Sequence, residues 1–479
     1  MDVPNTMLHG MVEAEQKIDR GSIENMLEIS DLSDLGLPIR LSRPIRVNLT
    51  RPVAEGVVRP TITSKELAEE LTEITGVASE EFPLSTRVFE FDLRESDQVI
   101  VRAVENNLPL IIHRNQEVII NFGIRATQAF CFADSKRPIY TYIPGFNIQR
   151  IPTVIRRPLS NFVQSVYSRR KGDVAQDYSK LPLTSFEFVI LLLNKVLSKA
   201  VGREARVFHW PSGKRAVFVS LHDVDTGGFL QRRDSDPLFG LEQKHQIHST
   251  WFVPTAVLKG KKEHVDFLLQ SGNEVGWHGH RHDHRLPFKP YADQHVQMLK
   301  NCFLAEPENF PTGMRTPKLL KSNHLFGLLE RSYPALCYDT SFSQGIVPYY
   351  IWLNGRQSKI LEIPITVPTD IGVYNKLHGI SRSRRYEAIL EAQIARTKKL
   401  LEVGGIISIV THPEKDLTER PEFLDVYDQY LHYIKNCPDI WFATAGDLFR
   451  YWTGDSSYSS GESQSSSEPS NRQKLSRQL

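Results

Sequence analysis

From about residue 205 the chain alternates short apolar runs with longer amphipathic ones. Ala216-Val-Phe-Val-Ser-Leu, Ser249-Thr-Trp-Phe-Val, Glu274-Val-Gly-Trp, Leu336-Cys-Tyr, Lys359-Ile-Leu-Glu-Ile, Ile406-Ile-Ser-Ile-Val and Ile440-Trp-Phe-Ala read as strands. Between them the helical period predicts helices over 238–245, 262–270, 291–304, 324–331, 384–403 and 422–434, with Gly404-Gly405 closing the fifth. Strand–helix alternation implies a parallel sheet, either open and doubly wound or closed into a β/α barrel. In a barrel, functional groups gather at the C-terminal ends of the strands.

The pattern upstream is different. Thr63-Ser-Lys-Glu-Leu-Ala-Glu-Glu-Leu reads as a capped helix start, and Val99-Ile-Val-Arg-Ala-Val and Glu117-Val-Ile-Ile-Asn-Phe as strands. Acidic and apolar residues mix through 24–35, and residues 1–150 are expected to form a small α+β domain of unassigned role. Residues 151–204 read as a basic linker and a helix. Arg150, Arg156, Arg157, Arg169, Arg170 and Lys171 recur among prolines, a run that ordinarily marks a solvated face. Thr184-Ser-Phe-Glu187 has the capping-box pattern, and 186–201 suits an amphipathic helix packed on the domain that follows. Residues 205–453 are expected to form one compact domain, and the Ser-rich tail 454–479 to be disordered.

Composition narrows the function classes. With 479 residues, 40% of them hydrophobic, 24% charged and a net charge of +2, the chain can build two or more cores, and nothing in that balance calls for nucleic acid. Cys131, Cys302, Cys337 and Cys437 stand far apart with no C-x-x-C spacing, which argues against a disulfide scaffold or a thiolate zinc knuckle. The first residues lack a secretory pattern, and the greasiest run, 188–193, falls well short of the roughly 20 apolar residues a membrane span needs. The expected location is cytoplasmic.

The densest chemistry lies in Asn273-Glu-Val-Gly-Trp-His-Gly-His-Arg-His-Asp-His-Arg285, which holds His278, His280, His282 and His284, four of the 16 histidines. Neutral imidazole is the commonest metal ligand, and so many together point to a metal site. A helical turn would pair His278 with His282 and His280 with His284; an extended run would set all four on one side. Spacing alone leaves these open. Other polar groups fall where a barrel rim would lie: His222-Asp-Val-Asp225, Met314-Arg-Thr-Pro317, Tyr338-Asp-Thr-Ser341 and Val410-Thr-His-Pro413. Singly, an Asp at a strand end caps the next helix and a Thr-His-Pro makes a turn. Five such groups in register on one rim suggest a site.

In that order these motifs resemble the NodB-homology domain of polysaccharide deacetylases, over roughly residues 210–452. The resemblance implies a distorted β/α barrel with fewer than eight strands and one divalent metal per chain, expected to be zinc. It implies Asp225, His278 and His282 as metal ligands and Asp223 as the base, with Arg315 beside it. His412 would be the general acid, with Asp339 orienting it. The implied activity is removal of an N-acetyl or similar acyl group from a carbohydrate or related amide. Four positions depart from the family: Asp-Val-Asp for adjacent aspartates, Gly279 for Ser or Thr, Lys318 for Tyr, and Asp339-Thr-Ser-Phe for an Asp-Trp continuation. The first leaves base and ligand exchangeable, and the four together bear on substrate. His280 and His284 are expected to face solvent. A cyclic-amide hydrolase of the allantoinase-like kind and a non-catalytic glycan-binding protein of the same fold are the competing readings. An amidohydrolase or phosphoesterase barrel reading His278-Gly-His280 as its H-x-H motif fits less well, because that motif belongs at a first strand.

Overall fold

A computed structural model describes residues 45–47, 52–115, 117–123, 181, 183–201, 206, 210–225, 236–258, 262–282, 285–289, 291–302, 311–343, 345–353, 356–369, 382–413 and 420–454. The acidic–apolar stretch 24–35, the basic stretch 150–180, His284 and the tail after Gly454 lie outside the described residues.

The N-terminal strands are β1 (Ile45–Val47), β2 (Pro52–Val58), β3 (Pro60–Ile62), β4 (Leu84–Phe89), β5 (Gln98–Ala103), β6 (Pro109–Arg114) and β7 (Glu117–Ile120). Five of them form a sheet in the order β1-β7-β6-β5-β3, while β2 and β4 pair as a separate ribbon. Helix α1 (Lys65–Thr75) starts at Ser64, whose hydroxyl accepts from Leu67 N, and ends on Gly76 in the left-handed conformation. Helix α2 (Ser185–Val201) carries the predicted capping box: Thr184 Oγ1 accepts from Glu187 N, and Glu187 accepts from Thr184 N. The buried Glu187 carboxylate also takes backbone N–H bonds from Ile346 and Val347, tying α2 to the second sheet.

That second sheet comprises β8 (Ala216–Asp223), β9 (Thr250–Val253), β10 (Glu274–Trp277), β11 (Gly313–Met314), β12 (Tyr338–Asp339), β13 (Tyr349–Leu353), β14 (Arg356–Glu362), β15 (Ile406–Thr411) and β16 (Ile440–Phe442). Interspersed are α3 (Pro237–Lys244), α4 (Thr255–Leu258), α5 (Lys262–Gln270), α6 (Tyr291–Cys302), α7 (Asn323–Ser332), α8 (Arg382–Val403), α9 (Pro421–Lys435) and α10 (Ala445–Thr453). The strand order is β13-β14-β12-β11-β10-β9-β8-β15, parallel except at the β13–β14 hairpin. All eight residues of β8 and all six of β15 are buried, as parallel strands covered by helices require.

The sheet curls into a half-barrel. Beyond β14, Val367 N donates to Ser408 O at 3.1 Å and Ser408 N to Thr366 Oγ1 at 3.1 Å, joining that segment to β15. On its other side β8 has two neighbours in sequence, β16 along residues 216–218 and β9 along 221–223. Two elements escape the sequence pattern. The antiparallel β13 interrupts strand–helix alternation, and α10 is short but has a full capping box, with Thr444 and Asp447 bonding each other's backbone N–H. No helix among the described residues is long and apolar enough to cross a membrane.

Candidate metal centre and its rim

Parallel pairing brings the motif residues together. Asp223 ends β8, and Asp225 follows after a tight turn in which its N–H donates to Asp223 O. His278 directly follows β10, its N–H still bonded to Val253 O, and Arg315 directly follows β11, with its N–H on Trp277 O. His412 directly follows β15. Every one of these side chains therefore leaves the C-terminal end of a parallel strand.

His278 Nε2 lies 3.4 Å and His282 Nε2 3.1 Å from Asp225 Oδ1. The two imidazoles stack with centroids 5.3 Å apart. His278 Nδ1 sits 2.9 Å from the carbonyl of Arg315, which fixes it as the N–H and leaves Nε2 as a lone pair. Among the described residues this is the one group of three whose ligand atoms all fall within 4.8 Å of one another. His278 Nε2 and Asp225 Oδ1 are buried without a conventional hydrogen-bond partner. Ligands about 2.0–2.1 Å from a tetrahedral zinc ion stand roughly 3.3 Å apart, so the spacing and the donor set both fit a divalent metal. Burial pushes the Asp225 carboxyl up, but the neighbouring imidazoles of His278, His282 and His412 outweigh it and bring it down to about 2. Burial lowers His282 to about 4 against the pull of Asp225, with His278 and Lys318 adding to the fall. Both groups are thus in their ligand forms at neutral pH.

Beside the triad, Arg315 Nε stands 3.0 Å and His412 Nε2 3.8 Å from Asp223 Oδ2. Arg315 is buried, and its Nη1, like Asp223 Oδ1, has no hydrogen-bond partner. The carboxylate next to His412 is therefore Asp223. Asp339, read as the residue orienting His412, accepts instead from Ser341 N at 3.1 Å and Ser341 Oγ at 2.7 Å, and it faces Glu362. Burial, reinforced by the Asp339 charge, raises Glu362 well above the usual carboxylate range. Ser341 Oγ in turn accepts from Thr316 N, so Asp339 braces the loop that carries Arg315.

The histidine loop adopts neither a helical turn nor a plain strand. Gly279 takes φ +74°, and a Cβ there would come within 3.3 Å of Pro317. The kink separates His278 from His280. Contrary to expectation, His280 is half-buried and engaged: its Nδ1 meets Thr255 Oγ1 at 2.9 Å, and its N–H donates to His295 Nδ1 at 3.1 Å.

Sequence reasoning also missed Glu242, a buried carboxylate on α3. It accepts from Ser220, Ser249 and Tyr427 at 2.6–2.8 Å and meets His222 Nε2 at 2.9 Å. His222 Nδ1 reaches Thr411 Oγ1 at 2.7 Å, which joins the residues preceding Asp223 and His412. Only the polar residues inside the apolar β8 run, Ser220 and His222, signalled such a partner.

No protein-family model matches the chain. It is 28% identical over 144 residues to a peptidoglycan deacetylase of Helicobacter pylori, spanning 29% of this chain and 48% of that relative. The chain thus covers about half the length of the curated relative it matches. Among solved structures, a polysaccharide deacetylase described as putative from Mycobacterium smegmatis superposes with a TM-score of 0.42 at 20% identity, covering 51% of this chain and 92% of that one. An allantoinase superposes with a TM-score of 0.44 at 17% identity, covering 52% and 94%.

Proposed function

We propose that residues 205–453 form a metal-dependent hydrolase of the polysaccharide deacetylase type, which removes an acyl group, N-acetyl first among them, from a carbohydrate or related amide. The supporting observation is one rim that carries a two-histidine, one-carboxylate triad next to a second aspartate flanked by Arg315 and His412. We read the curled sheet as a distorted barrel of that type and the His-Asp-Val-Asp motif as its divergent first motif.

Asp225, His278 and His282 would hold the ion, expected to be zinc. When bound, it would supply Lewis acidity towards a carbonyl and lower the pKa of nearby water. Asp223 accepts the water's proton; the Arg315 guanidinium, 3.0 Å from its Oδ2, holds the carboxylate in position. His412, half-buried at the rim, delivers a proton to the departing amine, which leaves poorly as an anion. Asp339, through Ser341 and Thr316, keeps Arg315 in place.

The test is metal analysis of the purified protein combined with acetate release from a panel of N-acetylated sugars. One zinc per chain and chelator-sensitive acetate release support the reading. Opening of small cyclic ureides without acetate release would favour the allantoinase-like alternative, and stoichiometric metal without turnover of any compound would favour a binding protein.

A further inference from the structure

One residue back from Asp223 and His412, the two strands carry a second polar layer. Successive strand residues face opposite sides, so while Asp223 and His412 turn to the rim, His222 and Thr411 turn to the helices that cover the sheet. His222 Nε2 meets Glu242 Oε1 of α3 at 2.9 Å, and its Nδ1 meets Thr411 Oγ1 at 2.7 Å. The His222 ring also stacks on Trp251, with centroids 4.0 Å apart. His222, Glu242 and Thr411 are all buried.

Glu242 sets the direction of this chain of bonds. Its Oε1 takes the hydroxyls of Ser220 and Tyr427, and its Oε2 takes that of Ser249. Burial works against its charge, and the His222 ring and the two serine hydroxyls outweigh it. An ionised carboxylate only accepts, so His222 is its fourth donor and Nε2 carries the hydrogen. In the neutral ring Nδ1 then accepts from the Thr411 hydroxyl. A buried network in which every member is satisfied rigidifies the backbone it spans.

The rim needs that rigidity most at His412. Asp223 is held by its pairing with Phe252 of β9 and by Arg315 Nε at 3.0 Å. Thr411 is the last rung of the β8–β15 ladder, opposite His222, whereas the bonds that join β15 to Thr366 and Val367 lie lower, at Ile406 and Ser408. The Thr411–His222 bond therefore adds a side-chain rung at the residue from which His412 departs.

We infer that Thr411, held by the His222–Glu242 pair, is a positioning residue that sets His412 against Asp223 for protonation of the leaving amine. The inference rests on the hydrolase reading above and gives a role to residues which that reading leaves unused.

The experiment follows chelator-sensitive hydrolysis of two compounds by the zinc-loaded full chain. N-acetylglucosamine oligomers are amides whose amine must be protonated to leave; 4-nitrophenyl acetate is an ester whose nitrophenolate leaves unaided. Thr411→Val keeps the shape of the side chain and removes the hydroxyl. It should lower kcat on the oligomers by about 10- to 100-fold, the cost of misplacing a group by about 1 Å, with KM and bound zinc unchanged and ester turnover within about twofold of wild type. Thr411→Ser returns the hydroxyl and should restore kcat. His222→Phe keeps the stack on Trp251, breaks both hydrogen bonds and should give the same pattern, so the test stands where one of the two variants fails to fold. Unchanged kcat on the oligomers, an equal fall on amide and ester, or loss of zinc overturns the inference. If wild type leaves the oligomers intact, the deacetylase reading fails by itself, and amide hydrogen exchange then decides. Exchange at residues 409–412 that quickens severalfold in Thr411→Val and returns in Thr411→Ser, with residues 216–219 unchanged, upholds the positioning. Exchange that is unchanged, or raised alike in both strands, overturns it.

Discussion

One loop carries two kinds of histidine. His280 has its ring nitrogen on Thr255 and its backbone N–H on His295, whose ring stands 5.9 Å away and nearly perpendicular. His278 has one nitrogen on the Arg315 carbonyl and the other buried without a hydrogen-bond partner, across from a carboxylate and a second imidazole. Residue type and spacing are the same for both. What separates them is satisfaction: a histidine whose polar atoms are met by the protein is part of the scaffold, and one that leaves a lone pair buried awaits a cation.

The strongest way to break this contrast is to delete each kind. His278→Ala and His282→Ala should abolish stoichiometric metal, measured by elemental analysis after dialysis. His280→Ala and His295→Ala should keep it, with affinity weakened by about 10- to 100-fold at most, the range for groups that support ligands. Metal lost from His280→Ala and kept in His278→Ala would invert the assignment.

A smaller effect separates the two aspartates. Asp223→Asn should retain metal and lose about 10² to 10⁴ in turnover, the usual contribution of a general base. Asp225→Asn should lose metal first and recover part of its activity at high added zinc. Metal content and acetate release on the same preparations decide which aspartate does what, and the opposite pattern reverses the roles.

The smallest effect is a pH dependence. His282 sits at about 4 against an ordinary 6.5, so between those values the unfolded chain binds a proton that the folded, metal-free chain refuses. Stability of the metal-free protein should therefore be flat above about 6.5 and fall by roughly 1–3 kcal/mol as the pH drops towards 4. His282→Gln should flatten that slope in denaturant titrations. An unchanged slope would place the titrating group elsewhere.

Much of this was legible in the sequence because the relevant signals are local. The apolar runs at 216–221 and 406–410 lie within β8 and β15, and helices predicted at 262–270 and 384–403 lie at α5 and α8. That the motif residues gather on one rim followed from their places at strand ends. Partners that meet only after folding were not legible. Asp339 is near the rim in sequence terms, but its direction depends on Ser341 and Glu362, the latter on a neighbouring strand in register with it. His280 could be told from His278 only through the turn at Gly279 and through His295 on α6. The Asx-like strand ends announce a site; which carboxylate faces which imidazole is decided by tertiary packing.

The strand lengths described above divide the rim into unequal halves. Asp223, Asp225 and His412 hang from β8 and β15, which share a six-residue ladder, and β8 is held further by β9 and β16. His278, His282 and Arg315 hang from β10 and β11, which are four and two residues long and share a single paired position. Fluctuations that open a protein locally start where the ladder is shortest. The seam between β10 and β11 should therefore part first, loosening the His278 Nδ1 bond to the Arg315 carbonyl while the four-position β9–β10 ladder and β8 stay closed, and giving the ion a route in and out that leaves the fold intact. Loading and exchange of the metal would then run on the timescale of loop opening, well ahead of global unfolding.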